Sequence, residues 1–486
     1  MCSLPLDLGC VTWGAHSCCS FGNPILSHGV DVLGAYEQAS VPCVGDIHTY
    51  AVVRCYWGSE FQTFQFKFPP SYINHMSIAV PDVPLQLGVP QDNDLIPPYC
   101  ESECFESSYV TQMEEISVGF LDHSTWKTKF RRGVAIIGEG ASSREFTEHA
   151  YVTVDCTPLL GFFSSLTSYA RALRTWEGSP APPEPWVEWN SWASSLNHMD
   201  ITVDLLIGAS NALPEGASIV RDAVYSLNDS QTAKWVSHVK SRSQHAGTYM
   251  SPCVVYRPAC GYNVSEIILR DKHGSPLKAP FSTSLIRDVT HPSFPCYMKT
   301  QFDEARRLGY THVKIDFMNY AALEGEHHVH STGMQAYAHM LRVIANYSGG
   351  FRLAFAMSLP FPSGMVAHSR RVGMDQPFGF VGVTMNALKG GIWLRELHAL
   401  DPDSTTLNHS GWMHANARRL KAVVAGGIYK YGDAHPQVMP VHRSKWKYGL
   451  STWTNGTHEI IFNYLPIKVN GVPARDAQIK NVEKTH

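Results

Sequence analysis

From Trp186 to about Gly432 the sequence alternates short apolar runs with amphipathic stretches of helical period, and this alternation leaves few options for the fold. Eight runs read as strands: Val187 to Trp192, Ser218 to Tyr225, Thr248 to Val255, His312 to Phe317, Phe351 to Met357, Val372 to Asp375, His398 to Asp401 and Gly427 to Tyr431. Strands separated by helices pack as a parallel sheet with both faces covered. Eight of them over about 245 residues match the size of a closed (β/α)8 TIM barrel. Two helices stand out. Tyr297 to Leu308 lines up Met298, Phe302, Ala305 and Leu308 on one stripe and stops at Gly309. Ser331 or Thr332 can cap a second, whose Met334, Tyr337, Leu341 and Ile344 share a face before Gly349-Gly350 ends it.

A chain of 486 residues exceeds what one core fills, so further domains are expected on either side. Residues 1–175 alternate apolar runs, among them Val52 to Tyr56, Phe61 to Phe68 and Val134 to Ile137, with Gly, Pro and Ser clusters, as in a β-sandwich. The segment 176–186, with Gly178-Ser179-Pro180-Ala181-Pro182-Pro183-Glu184-Pro185, is too stiff and donor-poor for a helix or central strand and reads as a linker. The barrel then covers 187–432, and 433–486 forms a small C-terminal β domain.

Two barrel segments carry the chemistry. In Val313-Lys314-Ile315-Asp316-Phe317 the apolar residues alternate with Lys314 and Asp316, so a two-residue repeat sets ammonium and carboxylate on one face. A neighbouring lysine favours the ionised carboxylate, as a nucleophile requires. Arg370-Arg371-Val372-Gly373-Met374-Asp375 supplies a second carboxylate, and both aspartates fall at strand carboxyl ends, where barrel enzymes hold their sites. A K-x-D sequence alone is equally a satisfied ion pair at a strand end, and Arg371 alone a surface ion pair.

Hydrophobic residues make up 44%, aromatics 11% and charged residues 17%, a balance suited to binding neutral sugars by stacking and hydroxyl hydrogen bonds. The formal charge of -3 provides no basic field for nucleic acid or an anionic membrane, and no run of about eighteen apolar residues reads as a membrane span. Nine of the twelve cysteines lie at or before Cys156, without the paired spacing of a zinc ribbon; Cys100 and Cys104 read as small buried apolar residues in preference to a local disulfide. No cofactor or metal is expected, His327, His328 and His330 included, since no fourth ligand is evident. The start Met1-Cys2-Ser3-Leu4-Pro5 shows no secretory leader, and sequons at Asn228, Asn263, Asn346, Asn408 and Asn455 permit glycosylation only in a secreted chain.

Taken in order, Trp189-Asn190-Ser191-Trp192, Gly247-Thr248-Tyr249-Met250-Ser251-Pro252, Asp288-Val289-Thr290-His291-Pro292, Val313 to Phe317, Glu324-Gly325-Glu326-His327, Thr332 to Tyr337, Ala367 through Arg371 to Asp375, Asp401-Pro402-Asp403 and Gly432-Asp433 resemble the alpha-galactosidase (melibiase) family of clan D glycoside hydrolases. The resemblance implies a retaining enzyme that releases terminal alpha-linked galactose from an oligosaccharide or polysaccharide, with Asp316 as nucleophile and Asp375 as acid/base, their carboxyl groups about 5 to 5.5 Å apart. It also implies Lys314 and Arg371 as donors to sugar hydroxyls, Trp189 and Trp192 as stacking surfaces or core tryptophans, and Asp222 as the ligand of the galactose 4- and 6-hydroxyls. Ala223-Val224-Tyr225 departs from the aromatic context usual after Asp222. One of Asp401 and Asp403 orients Arg371 or a sugar hydroxyl, while Asp288 and His291 serve as helix cap or ligand contact. An extracellular location follows from the family alone. The alternatives are a raffinose-synthase-like transglycosidase, a hydrolase for alpha-N-acetylgalactosamine or beta-L-arabinopyranose, and a catalytically silent carbohydrate-binding relative.

Overall fold

A computed structural model describes residues 11–13, 16–59, 61–67, 71–72, 76–79, 111–113, 116–124, 128–131, 134–137, 152–153, 160–163, 166–184, 186–193, 201–222, 227–279, 283–359, 361–371, 396–401 and 429–431, and short strands from 447 to 481. Asp375, Asp403, Cys100, Cys104, Asn408 and Asn455 lie outside the described residues, as does the run Val372 to Asp375.

The central element is an eight-stranded, wholly parallel sheet. Its strands are β1 (Val187–Asn190), β2 (Ser218–Val220), β3 (His245–Met250), β4 (His312–Ile315), β5 (Arg352–Phe355), β6 (Ser369–Arg371), β7 (Ala399–Asp401) and β8 (Tyr429–Tyr431). The spatial order is β7-β6-β5-β4-β3-β2-β1-β8, so each strand from β1 to β6 lies beside its successor and β8 pairs with β1. Helices α1 (Val203–Ala212), α2 (Asp229–Ser241), α3 (Ser293–Arg307) and α4 (Gly333–Tyr347) occupy the connections between the early strands. This is an α/β fold.

Where expected and observed elements differ, local chemistry supplies the reason. The run Thr248 to Val255 is two strands, because Pro252 cannot donate to the parallel ladder; Val254–Val255 instead pairs with Leu285–Ile286 in a separate antiparallel ribbon. Helix α3 starts at Ser293, four residues before the expected Tyr297, since Pro295 falls in the first turn where its missing N–H has no intrahelical partner to lose. It ends before Gly309, whose φ of 83° is the left-handed value expected there. Thr332 caps α4 in a reciprocal box with Gln335, each side chain bonding the other's backbone N–H at 3.0 and 2.9 Å. Strand β6 begins at Ser369, so both arginines lie within it. Arg370 is tolerated there because its Nε and Nη2 donate to the Ser358 carbonyl at 3.0 and 2.7 Å.

Alternation along the strands divides the sheet into two chemically different faces. Trp189, Ile219, Val313, Ile315, Leu353 and Phe355 join Leu206, Trp235, Phe294, Phe302, Met334, Tyr337 and Leu341 of the helices in one apolar core. The other face carries Glu188, Asn190, Ser218, His312, Lys314, Arg371, Asp401 and Lys430, all buried. Glu188 of β1 comes within 3.6 Å of His312 of β4, although three strand spacings separate them by about 14 Å along a flat sheet. Lys430 of β8 reaches Asp401 of β7 at 2.8 Å, and these are the two outermost strands of the order. The sheet is therefore strongly curved, with its polar face concave.

The amino-terminal part holds antiparallel sheets. One has seven strands, with Gly34–Cys43, Asp46–Tyr56 and Gln62–Lys67 near its first edge; another has five, including Val134–Ile137. Helix Leu166–Trp176 follows, and residues 179–184 have no regular structure. Past β8, Lys447–Tyr448, Thr452–Thr454, His458–Ile461 and Gln478–Asn481 form a four-stranded antiparallel sheet. Disulfides join Cys18 to Cys43 and Cys260 to Cys296. Among the described residues no helix is long and apolar enough to cross a membrane, and no group of three or more His, Cys, Asp or Glu side chains is arranged to hold a metal ion.

Candidate active site

At the carboxyl end of the sheet, strands β2 and β4 deliver one compact group of charged side chains. Lys314 Nζ lies 2.5 Å from Asp222 Oδ2 and 3.8 Å from Asp316 Oδ2. One ammonium therefore serves two carboxylates, and all three residues are at least nine-tenths buried. The geometry comes directly from the backbone. Lys314 and Asp316 share the concave face because they are two residues apart. Asp222 is brought to them from β2, where Ser191 Oγ accepts the Asp222 N–H at 2.8 Å and ties the ends of β1 and β2 together.

Burial raises the Asp316 carboxyl above its usual range, against the pull of Lys314 and Arg371, while the nearby Asp222 charge pushes it further up. Lys314 alone therefore does not decide the ionisation of its neighbour: desolvation opposes it and prevails. The lysine itself loses stability on burial, yet Asp222 and Asp316 together hold its pKa above the ordinary value. Tyr249, on β3 beside Lys314 in the sheet register, is held well above the usual phenol range by burial and by the charges of Asp316 and Asp222. It remains a protonated donor, with Lys314 Nζ 5.8 Å from its ring centre.

Backbone strain marks the same place. Phe317, directly after Asp316, has φ 56°, and Met357, just past β5, has φ 41°. Left-handed backbone at bulky residues costs on the order of 1–3 kcal/mol and persists only where the surroundings enforce it. Here the Phe317 N–H donates to Asp316 Oδ1 at 2.8 Å, and the Asn319 N–H to the Met357 carbonyl at 2.8 Å. The turn thus fixes one carboxylate oxygen of Asp316 and leaves the other toward Lys314.

The remaining expected residues separate into distinct settings. Arg371 is buried on the concave face, paired in register with Asp401 on β7. Asp401 bonds Lys430 Nζ at 2.8 Å, and Lys430 in turn lies 3.3 Å from Glu188 Oε1. Trp192 is 39% exposed at the end of β1, with its N–H bonded to Asn190 Oδ1 at 2.9 Å. Trp189 is a different case: it is fully buried in the apolar core, on the face opposite Asn190, and is not available as a sugar platform. Alternation is the reason, since Glu188 and Asn190 take the concave face. Asp288 holds a loop. Its Oδ1 accepts from Thr290 N and Oγ1 at 2.9 and 2.8 Å, its Oδ2 accepts the His328 N–H, and His327 Nδ1 lies 3.4 Å away. His291 bonds Ser293 Oγ through Nδ1 at 2.8 Å and stacks edge-on to Tyr262.

Glu188, Lys430 and Tyr249 of the concave face were given no role in the sequence analysis. Burial raises the Glu188 carboxyl, opposed by Lys430, and depresses His312 well below the usual imidazole range. With His312 neutral, its 3.6 Å approach to Glu188 is not an ion pair. Only the strict alternation of Tyr429-Lys430-Tyr431 hinted that the lysine faces inward.

No protein-family model and no curated protein sequence matches the chain. Solved structures do. An alpha-galactosidase from Thermus thermophilus, in complex with p-nitrophenyl alpha-D-galactopyranoside, superposes with a TM-score of 0.56 at 15% identity, covering 88% of this chain and 97% of that one. The same enzyme in complex with stachyose gives 0.55 at 16% identity, over 85% and 97%. A GH36 alpha-galactosidase from Geobacillus stearothermophilus, in complex with 1-deoxygalactonojirimycin, gives 0.51 at 9% identity, over 93% and 78%. The chain is similar in fold, along most of its length, to alpha-galactosidases.

Proposed function

We propose that the chain is a retaining glycoside hydrolase that releases terminal alpha-linked galactose from oligosaccharides or polysaccharide side chains. The observation that carries this reading is the buried Asp222–Lys314–Asp316 group at the carboxyl end of a curved eight-stranded parallel sheet. The likeness in fold to alpha-galactosidases, one of them seen with p-nitrophenyl alpha-D-galactopyranoside and with stachyose, supports the choice of sugar.

In this reading Asp316 is the nucleophile and Asp375 the acid/base. The Asp316 carboxylate attacks the anomeric carbon while Asp375 gives its proton to the glycosidic oxygen, so the C–O bond breaks and the alcohol departs. Water, deprotonated by Asp375, then displaces Asp316 and regenerates both groups. Lys314 neutralises the nucleophile's charge and, with Asp222, presents a donor and an acceptor to vicinal sugar hydroxyls. Arg371 adds positive charge, Trp192 stacks on the pyranose, and Asp401 or Asp403 orients Arg371 or a hydroxyl. No cofactor is required.

The same reading takes the sheet as a closed (β/α)8 barrel over residues 187–432, supported by the Lys430–Asp401 contact between β8 and β7. It takes 1–175 as an N-terminal β-sandwich and 433–486 as a C-terminal β domain. An extracellular location fits the Cys18–Cys43 and Cys260–Cys296 disulfides, which persist in oxidising compartments.

Proton NMR of aryl alpha-galactoside cleavage tests the mechanism, because a retaining enzyme liberates alpha-galactose first and mutarotation follows. Initial release of beta-galactose, or turnover of another glycoside in a nitrophenyl panel with none of the galactoside, refutes it. Asp375→Ala should keep turnover of a dinitrophenyl galactoside and lose most of it on raffinose.

A further inference from the structure

We propose that Tyr256 reads the group attached to the departing galactose, its ring forming the platform for the sugar next to the scissile bond. The inference rests on the glycosidase reading above and adds to it a residue outside the set named there.

Four observations converge on this tyrosine. It is 54% exposed, although its hydroxyl is fixed, accepting a hydrogen bond from Ser251 Oγ at 3.2 Å. Ser251 is buried just past the end of β3, two residues after Tyr249, which lies beside Lys314 in the sheet register. The residue before Ser251, Met250, accepts the Asp316 N–H at 2.9 Å through its carbonyl. Tyr256 is thus one hydrogen bond removed from the strand end that touches the nucleophile, on the solvent side of it.

Its support is rigid. Tyr256 follows directly on the ribbon formed by Val254–Val255 and Leu285–Ile286. Arg287 backs that ribbon, its backbone N–H donating to the Cys253 carbonyl at 2.8 Å and its Nε to the Pro252 carbonyl at 3.1 Å. A few residues on, the Cys260–Cys296 disulfide pins the loop to α3. An exposed aromatic held this firmly has little conformational freedom to lose when it binds. Its open face suits the C–H side of a neutral pyranose, an apolar surface that a charged or flexible side chain would match less well.

The position relative to Asp316 assigns the occupant. The buried group Asp222–Lys314–Asp316 takes the galactose, so a ring further out toward solvent meets the aglycone, that is, the second sugar of an oligosaccharide.

Two substrates separate this role from others: raffinose, whose leaving group is a disaccharide, and alpha-galactosyl fluoride, whose leaving group reaches no platform. For Tyr256→Ala the expected result is a fall of about tenfold in kcat/KM on raffinose, chiefly through KM, with the fluoride changed by less than about twofold. Tyr256→Phe, which keeps the ring, should match the wild type on both. Equal losses on the two substrates, or undiminished raffinose cleavage by Tyr256→Ala, overturn the assignment while leaving the glycosidase reading intact. A wild-type protein inactive on both substrates overturns the glycosidase reading and this inference with it.

Discussion

Replacing Lys314 by methionine removes the one ammonium shared by Asp222 and Asp316 and keeps the length of the side chain. At 3.8 Å and an effective dielectric of about 20, the Lys314–Asp316 attraction is roughly 4 kcal/mol, and the 2.5 Å contact to Asp222 is stronger. Desolvation of the lysine offsets part of this, so the net cost of breaking the buried arrangement is about 3–5 kcal/mol at neutral pH. For a folding unit of about 245 residues this lowers the thermal midpoint by on the order of 10 °C. The pH dependence gives the sharper test. Without the lysine, the Asp316 carboxyl keeps the burial and the nearby Asp222 charge that raise it and loses the opposing ammonium, so proton uptake by Asp316 on folding is favoured further. Groups whose folded pKa is raised support the fold at low pH and cease to do so as pH rises through that folded value. The deficit of Lys314→Met should therefore be small near pH 5 and largest near pH 8, measured by thermal unfolding across that range. The acid limb of its pH–rate profile should move to higher pH than in the wild type. A deficit that is independent of pH, or smaller than about 1 kcal/mol at pH 8, would falsify the claim that the Lys314 ammonium offsets part of the cost of the buried Asp316 charge.

Other substitutions probe neighbouring parts of the argument. Asp316→Asn should abolish galactoside turnover yet raise the thermal midpoint at pH 7 to 8, since the folded pKa of Asp316 is raised by burial and its ionised form opposes folding there; the gain should vanish toward acid, and a lower midpoint at pH 8 contradicts the account. The wild-type acid limb for kcat/KM should lie above the free aspartate value of about 3.9, and a limb at or below it would mean that Lys314 and Arg371 outweigh desolvation. Gly333→Ala should cost about 1–3 kcal/mol in denaturant unfolding, because a Cβ there meets the Ala322 carbonyl oxygen at the start of α4; an unchanged midpoint would show that the helix start can shift.

Much of the sheet was legible because its determinants are local. All eight strands and the two helices singled out lie within a few residues of the segments marked by apolar runs, caps and glycines, and the period-2 repeat put Lys314 and Asp316 on one face. The misplaced boundaries follow from prolines and arginines. Pro252 splits an apolar run, Pro295 is harmless in a first helical turn, and Arg370 enters a buried strand because the Ser358 carbonyl satisfies it. Trp189 could have been assigned to the core from alternation alone. Glu188, Lys430 and Tyr249 could not be chosen, since their importance lies in partners from other strands.

The amino-acid order by itself determined which residues alternate in and out of each strand, where α4 is capped and where α3 stops, and which carboxylate has a lysine two positions away. Those are consequences of backbone geometry within a few residues. Only the tertiary structure decided that Asp222 shares that lysine, that Glu188 and Asp401 converge on Lys430, that burial outweighs the lysine in setting the Asp316 proton affinity, and that the exposed Tyr256 is tied to Ser251 just past β3. Each of these depends on how far the sheet curves and how completely water is excluded, and both are set by the packing of the whole chain.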